Sequence, residues 1–216
     1  MLIFSHVSRY YPNGFTLFRD LSFCLFPGET VCFSGSAHSG KSFLLKMMMG
    51  LEMPTSGSIL FQRKNWARLR EHSTTLLRRH IGLMGSPDTL LTERTLKDNL
   101  ELPLRLRGIY GNVLHNTVES TLRHLELHER VNDPVSSLSW NEQYRLSLGR
   151  AFIHRPQLVL ADTPLTRFRE DESSFFEWVN RIRSPETTLV CTETQPMQRA
   201  ERLFLLSSEQ WMNRQN

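Results

Sequence analysis

The residues with the clearest chemical capacity are GSAHSGKS, residues 35–42. They fit the pattern G-x-x-x-x-G-K-[ST], in which a short loop wraps phosphate oxygens. Such oxygens need many donors at close range. Glycine lets backbone N–H groups approach them, and the start of a helix adds a positive dipole end. Gly35, Ser36, Ala37, His38, Ser39 and Gly40 form that loop, and Phe43 continues its line of donors into the helix. Lys41 would reach the terminal phosphates, and the Ser42 hydroxyl would ligate Mg²⁺. His38 stands where glycine is common; a positive φ would strain it, although histidine tolerates that region better than most residues. A second metal ligand is expected in Asp162, which closes the apolar run LVLAD, residues 158–162.

This chemistry needs a strand before the loop and a helix after it. TVCFS, residues 30–34, reads as a buried strand, and residues 41–50 read as a helix with Gly50 near its end. Further strands are expected at 2–7, at 15–26, in SILFQ after the turn at 53–57, at 80–84, 158–162, 187–192 and 202–207. Residues 86–155 change character. Leu96, Leu100 and Leu104, then Val118, Leu122 and Leu125, form stripes of the kind that face a core from one side of a helix. Strands alternating with helices predict an α/β fold with a mostly parallel sheet, and the block 86–155 reads as an inserted helical subdomain within a single domain, 1–216.

The 216 residues include 39% hydrophobic and 22% charged side chains, enough for a packed core. The net charge of +4 is mild and selects no anionic partner by itself. No basic motif interleaved with aromatics occurs, so no nucleic-acid partner is expected. Cys24, Cys32 and Cys191 lack metal-site spacing and read as reduced thiols. The start MLIFSHVSRY does not read as a signal peptide, and no run of about 18 apolar residues is present. His124 and His128, four apart, could share a helix face as zinc ligands, but no third ligand is nearby.

Together the phosphate loop, FLLKMMMGLEMPTSGSILF, LLRRHIGLM and LSWNEQYRLSLGRAFIHRPQLVLAD resemble the ABC-type ATPases over nearly the whole chain. Within that superfamily, LRRHIGLM and LLTERTLKDNLELPLRLRG are most similar to the FtsE family; the lipoprotein-release and macrolide-export ATPases are the nearest alternatives. The resemblance implies a P-loop nucleotide-binding domain with an antiparallel β part and a helical subdomain. It implies ATP and Mg²⁺ as ligands, and two copies closing head to tail around two ATP molecules. It also implies docking on an integral membrane protein of the FtsX type, at the cytoplasmic face of the bacterial inner membrane, in cell division. Tyr11 takes the position of the aromatic residue that stacks on adenine.

The same comparison exposes departures. The family's LSGGQ-like signature faces the γ-phosphate held by the opposite subunit. Here it is Ser139, Trp140, Asn141, Glu142 and Gln143, with both glycines replaced. Ser139 and Glu142 still form an S-x-x-E capping box. Thr163 follows Asp162 where the family has the glutamate that polarises water, and threonine cannot act as a base near neutral pH. Ser86 aligns with the Q-loop glutamine, Thr194 with the switch histidine and Arg169 with the D-loop aspartate. Asp88, Glu193 and Asp171 are the neighbours that could replace lost groups. The expectation is nucleotide binding with weak or lost hydrolysis. A working transporter ATPase and a scaffold that binds no nucleotide stay open as alternatives.

Overall fold

The computed structural model describes residues 1–85, 89–206 and 211–214. The chain divides into two compact units, Met1–Arg78 with Thr188–Asn216, and Arg79–Thr187.

The first unit holds two sheets. One is antiparallel, built from β1 (Leu2–Tyr10), β2 (Thr16–Leu25), β4 (Ser56–Phe61) and the short β5 (Lys64–Asn65), in the order β2-β1-β4-β5. The other contains β3 (Thr30–Ser34), flanked by parallel β8 (Thr188–Glu193) and β9 (Arg202–Leu206); β10 (Trp211–Arg214) pairs antiparallel with β9. All five residues of β3 are buried, as an uninterrupted apolar run covered on both faces requires. Phe4 stacks on Phe23 and Phe33 on Phe204, while Phe23 lies against both Phe33 and Phe204, so the rings tie the two sheets together. Helix α1 (Lys41–Met48) follows β3 and buries Leu44, Leu45, Met47 and Met48. Its chain turns away at Gly50, whose φ of +64° suits glycine. Helix α2 (Glu71–Arg78) ends the segment, and Arg78 donates to the carbonyls of Met49 and Gly50.

The second unit is mainly helical. Strands β6 (Ile81–Met84) and β7 (Leu158–Asp162) pair in parallel. Around them lie α3 (Leu96–Leu106), α4 (Gly111–His124), α5 (Trp140–Phe152), α6 (Pro164–Phe168) and α7 (Glu172–Ile182). Both leucine stripes point inward: Leu96, Leu100, Leu104, Val118, Leu122 and Leu125 belong to one buried cluster. Thr95 and Asp98 cap α3 reciprocally. Helix α4 ends at His124, and His128 begins a separate 3-10 turn. The two histidines therefore do not share a helix face. No helix among the described residues is long and apolar enough to cross a membrane.

Candidate nucleotide site

In the first unit, residues 35–40 connect β3 to α1 as a tight loop. Lys41 is buried, and its Nζ donates to the carbonyls of Gly35 and Ser36, each at 2.7 Å. The ammonium thus lies along the loop's concave line of backbone groups. Gly40 has a φ of +92°, and a Cβ there would meet the Phe18 ring at 2.8 Å. A Cβ on Gly35 would run into the Leu206 carbonyl and the Ser39 hydroxyl. Both glycines are required by geometry. His38 adopts the left-handed backbone expected of it, with φ of +66°. Its side chain is exposed, as are Ser36, Ala37 and Ser42, whereas Ser39 is buried.

The aromatic position expected to receive adenine lies close by. Tyr11 and Phe43 approach edge to face at 6.4 Å, and Phe15 lies 5.9 Å from Tyr11. The Arg9 guanidinium sits 5.3 Å from the centres of both the Tyr11 and Phe43 rings. Arg9 escaped the sequence reading; its position two residues before Tyr11, near the end of β1, is the signal that would have found it. The Gly35 N–H donates to the Glu193 carbonyl at 3.1 Å, so β8 ends against the loop. Thr194 follows there and is exposed. The Glu193 side chain is almost fully buried.

In the second unit, Ser139 caps α5, and the S-x-x-E box forms as expected. The Ser139 hydroxyl accepts from the Glu142 N–H, and Glu142 accepts from the Ser139 N–H at 2.8 Å. Arg130 donates to both Glu142 oxygens at 2.9 Å and to Asp133 at 2.8 Å. Burial alone would raise the Glu142 carboxyl, but Arg130 and Ser139 overcome it and hold it down at about 2. Trp140 is the first residue of α5 and is 46% exposed. Asn141 is exposed, and Gln143 is turned back to donate to the Leu138 carbonyl.

Asp162 closes β7, as expected, but it is already paired. Arg167 Nη2 donates to Asp162 Oδ2 at 2.8 Å, while Arg167 Nε donates to Thr163 Oγ1 at 2.9 Å. Thr163 has a φ of +48°, costly for a β-branched residue. One guanidinium therefore engages both the acid and the residue where a water-polarising carboxylate was lost. Arg169 is exposed and also left-handed, with φ of +56°. Asp171 is committed as the cap of α7, accepting from Ser174 N at 2.9 Å, and those bonds hold its carboxyl below the usual range. Ser86 and Asp88 lie outside the described residues. Arg167 was also missed from sequence; its place four residues after Thr163 and five after Asp162 puts it one helical turn above them.

The family profile described as ABC transporter matches residues 18–166. The chain belongs to the ABC transporter family. It is 33% identical over 186 residues to the cell division ATP-binding protein FtsE of Escherichia coli K12, covering 84% of each chain. It is 30% identical to FtsE of Bacillus subtilis over 88% of this chain and 84% of that one. The lipoprotein-releasing system ATP-binding protein LolD of Legionella pneumophila is 29% identical over 86% of this chain and 82% of that one. Its fold matches the dimeric post-hydrolysis structure of the ATP-binding cassette MJ0796 with ADP and Pi, with a TM-score of 0.84, 23% identity and coverage of 99% and 98%. The resemblance to FtsE and the ABC-cassette fold read from sequence are both borne out.

ABC ATPase domains bind ATP, typically with Mg²⁺. The donor chemistry here fits that metal only in part. The Ser42 hydroxyl is exposed at the first turn of α1. The Asp162 carboxylate, however, carries a guanidinium, and a divalent cation brought to it would meet a like charge within a few ångströms.

Proposed function

We propose that this chain is the ATP-binding subunit of a membrane-associated, FtsEX-like complex in bacterial cell division, and that it binds ATP while hydrolysing it weakly or not at all. The triphosphate lies on the backbone donors of residues 35–42. Lys41 turns from the Gly35 and Ser36 carbonyls to the terminal phosphates. Adenine packs on Tyr11. Magnesium, where present, meets the Ser42 hydroxyl; Asp162 is the second ligand that family membership implies. Two copies close in the nucleotide-bound state, and the surface of the pair docks on an FtsX-like membrane protein from the cytoplasmic side.

The observation that carries this reading is Thr163. Its hydroxyl is held by Arg167 at the position where hydrolysis needs a base, and it has no proton acceptor to offer water near neutral pH. A positioned base contributes about 10²–10⁴ in rate. Arg169, Thr194 and the Trp140–Asn141 pair depart from the family at further cooperating positions, and such losses do not multiply. Nucleotide binding rather than turnover then supplies the conformational signal.

The reading is tested by thermal or chemical unfolding with and without ATP. Stabilisation of about 2.7 kcal/mol is expected at a nucleotide concentration 100-fold above Kd. No stabilisation would leave an interaction scaffold as the function. Phosphate release rising to about 1–100 s⁻¹ when the membrane partner is added would instead favour a working transporter ATPase.

A further inference from the structure

We propose that Arg9 is a specificity-determining residue of the nucleobase subsite: its guanidinium, set against both the Tyr11 and Phe43 rings, favours a purine stacked there over a pyrimidine. The inference rests on the proposed function, which packs adenine on Tyr11. Every residue it uses lies within the first compact unit, as does the phosphate loop. The backbone aims the side chain. In the pairing of β1 with β2, register shifts fall on both sides of Arg9, between Val7 and Arg9 and between Arg9 and Tyr10. Such irregularities bend a strand and re-aim its side chains. The strand end is then fixed from the other side, because Tyr10 N–H donates to Thr55 Oγ1 at 3.1 Å and Arg9 Nη1 donates to the Met53 carbonyl at 3.2 Å. Tyr11 is held in a tight turn: its N–H donates to the Phe15 carbonyl at 2.8 Å, and Gly14 N–H donates back to the Tyr11 carbonyl at 3.0 Å. Phe43 comes from α1, two residues after Lys41. The guanidinium, 5.3 Å from both ring centres, therefore joins the turn that carries the base platform to the helix that carries the phosphate site.

The consequence follows from charge. Arg9 Nε is shut off from water without an acceptor, and among the described residues no carboxylate pairs with this guanidinium. An arginine so sparsely hydrogen-bonded leaves its charge to act on the rings, and a desolvated cation acts on an aromatic face more strongly than an exposed one. The face of an aromatic ring is negative, and a neighbouring cation draws that density toward itself. The ring then repels the π density of a stacked base less. The gain grows with the area of overlap, so a two-ring base profits more than a one-ring base. Tyr11 and Phe43 are both only partly buried, which leaves ring surface for a ligand.

The test is calorimetric titration with ATP, CTP and inorganic tripolyphosphate, on the wild type, Arg9→Gln and Arg9→Lys, after unfolding curves have shown all three proteins folded. In Arg9→Gln, ATP affinity should fall at least about fivefold and the preference for ATP over CTP should narrow at least about threefold. Tripolyphosphate, which has no base, should change by less than about twofold. Arg9→Lys keeps a cation and should hold the ATP-to-CTP preference within about twofold of the wild type. Equal losses for ATP and CTP in Arg9→Gln would overturn the proposal, since a merely structural role predicts them. So would an unchanged ATP affinity, a matching loss for tripolyphosphate, or an Arg9→Lys protein that discriminates no better than Arg9→Gln. Each of these outcomes leaves nucleotide binding by the wild type intact. A wild type that binds no ATP would overturn the proposed function as well.

Discussion

Replacing Glu142 by glutamine separates the charge of the α5 cap from its shape. In the folded chain this carboxylate accepts from Ser139 N and Oγ, and both of its oxygens accept from Arg130 Nη1. Its carboxyl falls from the ordinary 4.5 to about 2 despite its burial. A displacement of that size corresponds to about 3 kcal/mol. Because 18% of the side chain meets solvent and Arg130 is 31% exposed, screening reduces the expected contribution to about 1–2 kcal/mol. The sign follows from linkage: folding lowers the carboxyl, so the stabilisation is complete above pH 4.5 and is lost as pH falls toward 2. Urea unfolding of wild type and Glu142→Gln should therefore differ by about 1–2 kcal/mol at neutral pH and by less than half of that near pH 3. An equal difference at both pH values would show that the capping geometry, rather than the charge, stabilises the start of α5. A negligible difference at neutral pH would refute the Arg130–Glu142 bond as a structural element.

Three further outcomes follow from the site. Lys41→Met keeps the apolar stem but removes two charge-assisted bonds in the loop, and should weaken ATP binding by about tenfold to hundredfold in a titration. Thr163→Glu alone should raise phosphate release by less than about tenfold, because Arg167 would pair with the new carboxylate and the other departures remain; a gain of a hundredfold would show those positions to be dispensable. His154 is buried, and burial and Arg107 push its imidazole down to about 4, so the folded chain holds it neutral. The stabilisation is present above the unfolded value of 6.5 and is lost as pH falls toward 4; wild type should lose about 2 kcal/mol more than His154→Asn between pH 7 and 5.

Much of the fold was legible because its periodicities were strong. The runs TVCFS and LVLAD are largely apolar and became β3 and β7 at the expected residues. The Leu96–Leu100–Leu104 stripe could only face a core, and it does. Strand β5 and strand β10 were missed, since a two-residue pairing and a strand of four residues carry no alternating pattern. Helix α2 was missed for a different reason: only Thr74 and Leu77 are buried along it, too few to mark a face. The phosphate loop was readable because each glycine answers a steric requirement visible in the pattern. The electrostatics were not. Arg9, Arg130 and Arg167 look like surface charges in the sequence, and their roles come from rings and carboxylates brought to them by folding. The replacement of family acids was visible, but the arginine that answers one of them was not. That Asp171 caps α7 likewise depended on where that helix begins.

The most direct measurement is the chemical identity of nucleotide recovered from the protein after a single-turnover incubation with radiolabelled ATP at excess protein. Intact ATP, retained over minutes and lost on Lys41→Met substitution, is the predicted result. Conversion to ADP and phosphate at about 1–100 s⁻¹ would contradict it, because that rate demands a positioned base that Thr163 does not provide.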